Sequence, residues 1–142
     1  MQSILLFIHS WVRWLVVLAG AAAAIRLIIG LVAGGEYDRV ARGLTATFTG
    51  LLDLQVLLGV ILLIIGWRGY SAAAGGGFPV AQFEHLGAMV VAAGVSHFSN
   101  RWADSPHRRR FLNNLIVVLI ALVLIYLGVS VLAGSRWVFR GL

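Results

Sequence analysis

Apolar residues fill four stretches of this chain almost without interruption: Ile4 to Ala33, Leu44 to Trp67, Val80 to Phe98 and Phe111 to Leu132. An α-helix rises 1.5 Å per residue, so about 20 such residues cross the roughly 30 Å of a bilayer's hydrocarbon, and all four stretches qualify. The pattern predicts an all-α chain, a transmembrane four-helix bundle of up-down-up-down order. The first run is longer than a span requires and is expected to tilt or to emerge near Arg26. Polar residues interrupt the runs at few places. His9 and Arg13 lie in the first, Asp53 and Gln55 in the second, and Glu84, His85 and His97 in the third. The fourth holds only Asn113, Asn114, Tyr126 and Ser130, and reads as scaffold or a lipid-facing wall.

Composition supports this pattern. The chain has 142 residues, 61% hydrophobic and 11% charged, against roughly 25% charged in an average soluble domain. Without the four runs, the connections are too short to fold in water, so residues 1–142 are expected to form one integral membrane domain. No catalytic residue set is predicted, and an electron-transfer subunit is expected rather than a stand-alone enzyme. The absence of cysteine excludes disulfides, cysteine-ligated iron–sulfur clusters and thiolate or c-type haem attachment. Ala21 to Ala24 resembles a signal-peptidase site, but no basic residue precedes the apolar run, so the first run is expected to stay as a helix.

Orientation follows from arginine, the only basic residue besides histidine. Arg39 and Arg42 lie in the first connection and Arg101, Arg108, Arg109 and Arg110 in the third, whereas the second has Arg68 alone. The positive-inside rule places residues 34–43 and 99–110 in the cytoplasm and both termini outside a bacterial inner membrane. Arg136 and Arg140, flanking Trp137 and Phe139, read as an interfacial belt. The net charge of +6 thus has a membrane explanation, and no nucleic-acid partner is expected. The connection Gly69 to Phe78 reads as a loop ahead of Pro79, which suits a helix start, and it lacks the Lys and Ser/Thr of a P-loop.

Ionisable residues inside a membrane are costly and mark pathways, ligand sites or buried pairs. His9 lies five residues past Ile4, and His85 five residues past Val80. Both are therefore expected about 7–8 Å into parallel helices, at one level near the outer face. Two imidazoles at equal depth can ligate the iron of a tetrapyrrole; hydrogen bonds to other helices are the plainer reading. Arg13, four residues after His9, could meet a haem propionate or pair with Glu84 or Asp53. Asp53 sits roughly 13 Å along the second run and, with Gln55 and Glu84, is a candidate for proton relay or quinone binding; a bridge to Arg13 is the structural alternative. His97 is about 18 Å beyond His85 along the helix and about 120° around it, so it reads as interfacial or as a ligand to a second haem. His107, beside Pro106, reads as solvated. His85, Met89, Ala92 and Ser96 share one stripe of the third run, which would seat a flat ligand or a close helix.

Three segments carry a family resemblance: His9-Ser10-Trp11-Val12-Arg13-Trp14, Asp53-Leu54-Gln55-Val56-Leu57-Leu58-Gly59, and Glu84-His85. Together they resemble a family of small bacterial four-helix membrane proteins described as cytochrome b-like. A histidine of that family stands where this chain has Asp53, while those of the first and third helices correspond to His9 and His85. The resemblance implies b-type haem and electron transfer with quinone or a partner redox protein, as part of a larger complex. A non-catalytic accessory or scaffold subunit of a respiratory or photosynthetic complex is the alternative, with other membrane subunits, a second copy and lipid as partners. Chlorophyll, which needs one imidazole, is a remote variant. A transporter with Asp53 and Arg13 as a relay lacks the broken helices and repeats expected of one.

Overall fold

The structure is a computed structural model and describes residues 2–132 and 137. It is all-helical. Four helices, α1 Gln2–Ala33, α2 Arg39–Ala73, α3 Val80–His97 and α4 His107–Ser130, are joined by short turns, with a 3₁₀ turn Phe98–Trp102 after α3. Helices α1, α2 and α4 are long and apolar enough to cross a membrane. The fourth expected span, α3, does not join them. Its 18 residues rise about 27 Å, but they include Gln82, Glu84, His85, Ser96 and His97, which dilute its apolar character.

The helix ends differ from the apolar runs because backbone hydrogen bonding continues past the point where apolar side chains stop. Helix α2 starts five residues before Leu44 and runs to Ala73, so the expected loop Gly69 to Phe78 is helical over its first half. It ends in a Schellman motif: Gly75 N–H reaches Ala72 O at 3.1 Å and Gly76 N–H reaches Ser71 O at 2.9 Å. Gly75 holds φ +69°, the left-handed conformation that only glycine adopts without steric cost. The expected cytoplasmic connection 34–43 narrows to the five residues from Gly34 to Asp38. Asp38 caps α2, its Oδ1 accepting from Ala41 N–H at 2.8 Å, and Oδ2 pairs with Arg26 at 2.8 Å. Helix α4 begins at His107, inside the expected loop 99–110, and ends two residues short of Leu132. The belt residues Arg136, Phe139 and Arg140 lie outside the described residues.

Helix α1 packs against α2 and α4, and α3 against α4 and α2. Buried positions on α1 run Val16, Gly20, Ala23, Leu27, Gly30, and on α4 Phe111, Asn114, Val118, Ala121, Ile125. These steps alternate between three and four residues, the spacing that keeps one stripe of a helix against a neighbour. Glycine sets the closest approach of α1 to α4, because a Cβ added at Gly30 would overlap the Phe111 ring. Much of the outward surface of the helices is apolar, with Leu18, Ile25, Ile64 and Val123 exposed among many others.

Candidate functional site

His9 on α1 and His85 on α3 converge. Their ring centres are 6.4 Å apart with the planes at 77°. They line an interior cavity of about 200 Å³ together with Arg13 and Ser10 of α1, Gln55 and Gly59 of α2, and Met89 of α3. Ile125 and Val129 of α4 also line it. Two metal–nitrogen bonds of about 2 Å, drawn from opposite sides of one ion, separate the ring centres by about 6 Å. A plain edge-to-face contact of two rings covers the same range. The hydrogen bonds around each ring distinguish these readings.

His85 Nδ1 lies 2.7 Å from Gly128 O on α4. A carbonyl only accepts, so Nδ1 donates and the free Nε2 keeps its lone pair, the arrangement in which an imidazole serves as a metal ligand or proton acceptor. His9 is gripped from α2. Gln55 Nε2 donates to His9 O and meets His9 Nε2, each at 3.1 Å. The backbone carbonyl identifies the Gln55 atom as the amide nitrogen, so His9 Nε2 accepts and Nδ1 carries the proton. That Nδ1 and Gln55 Oε1 are both buried without a hydrogen-bond partner among the described residues. Buried polar atoms are rarely left so, and an orphaned pair beside a cavity fits a bound water or ligand there. His9 could hold a metal through Nδ1 only if its proton moved to Nε2 and Gln55 turned so that Oε1 accepted it, a change that gives up the Gln55 Nε2–His9 O hydrogen bond.

The cavity is smaller than the roughly 300–1,000 Å³ of sites that enclose drug-sized ligands. A tetrapyrrole therefore fits only with movement of flexible lining side chains such as Met89 and Leu86, or with its edge outside the helices. The donor chemistry fits haem iron. The volume is too small for a whole macrocycle without that movement.

Other expected site residues fall into two groups. Arg13 and Met89 join the cavity: Arg13 is buried, its guanidinium 5.7 Å from the ring centres of both Trp14 and Trp137, and Met89 packs beside Gly128. Asp53, His97 and Glu84 do not. Asp53 faces outward and pairs with His97 at 3.1 Å instead of bridging to Arg13. Glu84 is exposed, with no hydrogen bond or ion pair to a described residue. His107 is exposed but not merely solvated, because its Nδ1 accepts from Tyr37 N–H at 2.9 Å and ties the first connection to α4. Tyr37 is buried there, 5.1 Å from the Phe111 ring centre and under Arg110 at 4.3 Å.

Sequence reasoning missed Gly128. Its carbonyl orients His85, and a Cβ there would lie 2.6 Å from Met89 Cε and 2.8 Å from Ala88 Cβ. The available signal was a lone glycine inside a long apolar helix, which usually has a packing reason. The fourth helix is accordingly part of the site and not only a wall. Comparisons with models of known protein families, with curated proteins and with solved structures find no match.

Proposed function

We propose that the chain is a b-type haem-binding protein of the bacterial cytoplasmic membrane, carrying electrons between quinone and a partner redox protein as part of a larger assembly. The observation that carries this reading is the pair of imidazoles on separate helices, 6.4 Å apart, each with its far side held by another helix. The motif resemblance to cytochrome b-like proteins points the same way. Two facing rings also favour haem over chlorophyll, which takes one.

In this proposal the helices run up-down-up-down with both termini outside. The turns between α1 and α2 and between α3 and α4 are cytoplasmic. Support comes from the arginines gathered around those turns and from aromatic clusters elsewhere. Trp67 meets Phe78 and Phe83 at 5.9 and 6.0 Å, and Trp137 stacks on Tyr126 at 5.8 Å, as expected of an interfacial belt.

Haem bound here would supply reversible one-electron chemistry at its iron. The chain's own residues do the rest. His85, donating through Nδ1 to Gly128 O, keeps Nε2 as its accepting nitrogen, and His9, whose Nε2 accepts from Gln55, would have to give up its Nδ1 proton before that nitrogen could hold the iron. Arg13, buried on the face of α1 that carries His9, offers charge-assisted donors to a propionate. Ile125, Val129 and Leu52 give the site an apolar lining.

The test is a visible spectrum of the purified chain expressed with haem supply. Reduced-minus-oxidised bands of bis-histidine haem are expected, lost in both His9→Ala and His85→Ala. A colourless protein, or bands that survive both substitutions, refutes the reading. A colourless chain that copurifies stoichiometrically with other membrane subunits establishes the accessory role instead.

A further inference from the structure

One exposed polar pair lies well inside an apolar run. Asp53 of α2 and His97 at the end of α3 are hydrogen-bonded at 3.1 Å, with 45% and 55% of their side-chain surfaces exposed. Asp53 is 14 residues into α2, about 21 Å from its start by helical rise and well inside the apolar run. Around the pair the surface is apolar and shallow. A Cβ at Gly50 or Gly94 would meet nothing within 4 Å, and Leu54, Leu57, Val91 and Phe98 are exposed. Ionisable residues that face hydrocarbon are expensive, and a chain that keeps two of them together has a use for them.

The geometry of the pair identifies that use. A carboxylate accepts only, so Asp53 takes the Nε2 proton of His97 and leaves the Nδ1 lone pair of the neutral ring free. A carboxylate fixing a histidine tautomer so that the opposite nitrogen accepts is the arrangement of a general base. With α2 spanning the membrane, as in the electron-carrier reading, the pair opens to lipid. What reaches it must be lipid-soluble and must carry a hydroxyl.

We propose that the Asp53–His97 pair is the seat of a membrane quinol: one quinol hydroxyl donates to His97 Nδ1, Asp53 positions the ring, and the apolar surface beside Gly50 and Gly94 takes the ring face and tail. The choice of a quinol rests on the electron-carrier reading; the hydroxyl-accepting site does not. It lies on α3 twelve residues from His85, about 18 Å along the helix, so the ligand enters from lipid without passing through the histidine cavity. The other residues expected to bind quinone are elsewhere engaged or apart: Gln55 holds His9, and Glu84 lies on α3 near His85.

The test uses the full chain in detergent, with decylubiquinol and its dimethyl ether as probes, titrated calorimetrically under argon. The ether keeps ring and tail but has no hydroxyl. Wild type is expected to bind the quinol at least about tenfold more tightly than the ether, the size of a hydrogen bond to a charge-supported acceptor. Asp53→Asn and His97→Gln, both near-isosteric, are expected to abolish that preference while ether binding and helical circular dichroism stay unchanged. Equal affinity of wild type for both probes overturns the proposal. So does a preference that persists in both variants, or a wild-type dimer whose mass falls to a monomer's in Asp53→Asn, which assigns the pair to a contact between copies. The visible spectrum of the same samples separates the two readings, since a colourless chain that still prefers quinol refutes haem and leaves this site standing.

Discussion

Gly128→Ala perturbs the point where α4 meets α3. The new methyl would sit 2.6 Å from Met89 Cε and 2.8 Å from Ala88 Cβ. Met89 can swing its terminal methyl away. Ala88 cannot, and it lies roughly 0.7 Å inside the optimal carbon–carbon separation of about 3.5 Å, so α3 must withdraw. Withdrawal lengthens the 2.7 Å bond from His85 Nδ1 to Gly128 O. Overpacking costs about 1–3 kcal/mol and the weakened bond about 1 kcal/mol. The gain in helix propensity from glycine to alanine returns about 1 kcal/mol, so the net loss is about 1–3 kcal/mol. Tryptophan fluorescence during heating in detergent should show a midpoint about 3–10 °C lower. Gly87→Ala, on α3 where a Cβ meets nothing within 4 Å, isolates the propensity term and should be neutral or stabilising. A Gly128→Ala chain that melts with Gly87→Ala would refute the claim that this glycine exists for close approach. If iron is held by His85, Gly128→Ala should also weaken its retention about 10- to 100-fold, the usual cost of losing a ligand's hydrogen-bond partner.

Gln55→Leu removes both hydrogen bonds to His9 and should cost about 1–3 kcal/mol in the same melting assay, with any haem bands broadened or shifted; an unchanged midpoint and spectrum would show that Gln55 does not orient His9. The carboxyl of Asp38 is held below its ordinary range, first by the Ala41 N–H and then by Arg26. A depressed pKa contributes stability that is present above the unfolded-state value and lost as pH falls through the folded-state value. The midpoint difference between wild type and Asp38→Asn should therefore be constant at neutral pH and vanish under acid, below the ordinary carboxylate range. A difference that persists there would be inconsistent with a charged cap.

Run lengths placed the helices because crossing hydrocarbon requires about 20 apolar residues whatever they pack against. Their ends were less legible. Ser71, Ala72 and Ala73 extend α2 past Trp67 although nothing apolar demands it, since backbone bonds and a glycine cap suffice in water. The short α3 shows the converse. Polar residues that made it chemically informative also kept it from reading as a span as clean as the other three.

Inside the apolar runs the sequence was nearly silent about direction. In water the buried face of a helix stands out against a polar one; here the exterior is as apolar as the interior, so periodicity loses its contrast. The amino-acid sequence by itself determined an all-helical chain, helices long and apolar enough to cross a membrane, and the few polar residues able to do chemistry. The equal depth of His9 and His85 followed from counting residues along straight helices. Tertiary structure alone decided which side chains meet. Gln55 grips His9, Gly128 holds His85, and Asp53 turns outward to His97, because these partners lie 43 to 46 residues apart and are chosen by helix packing, not by spacing.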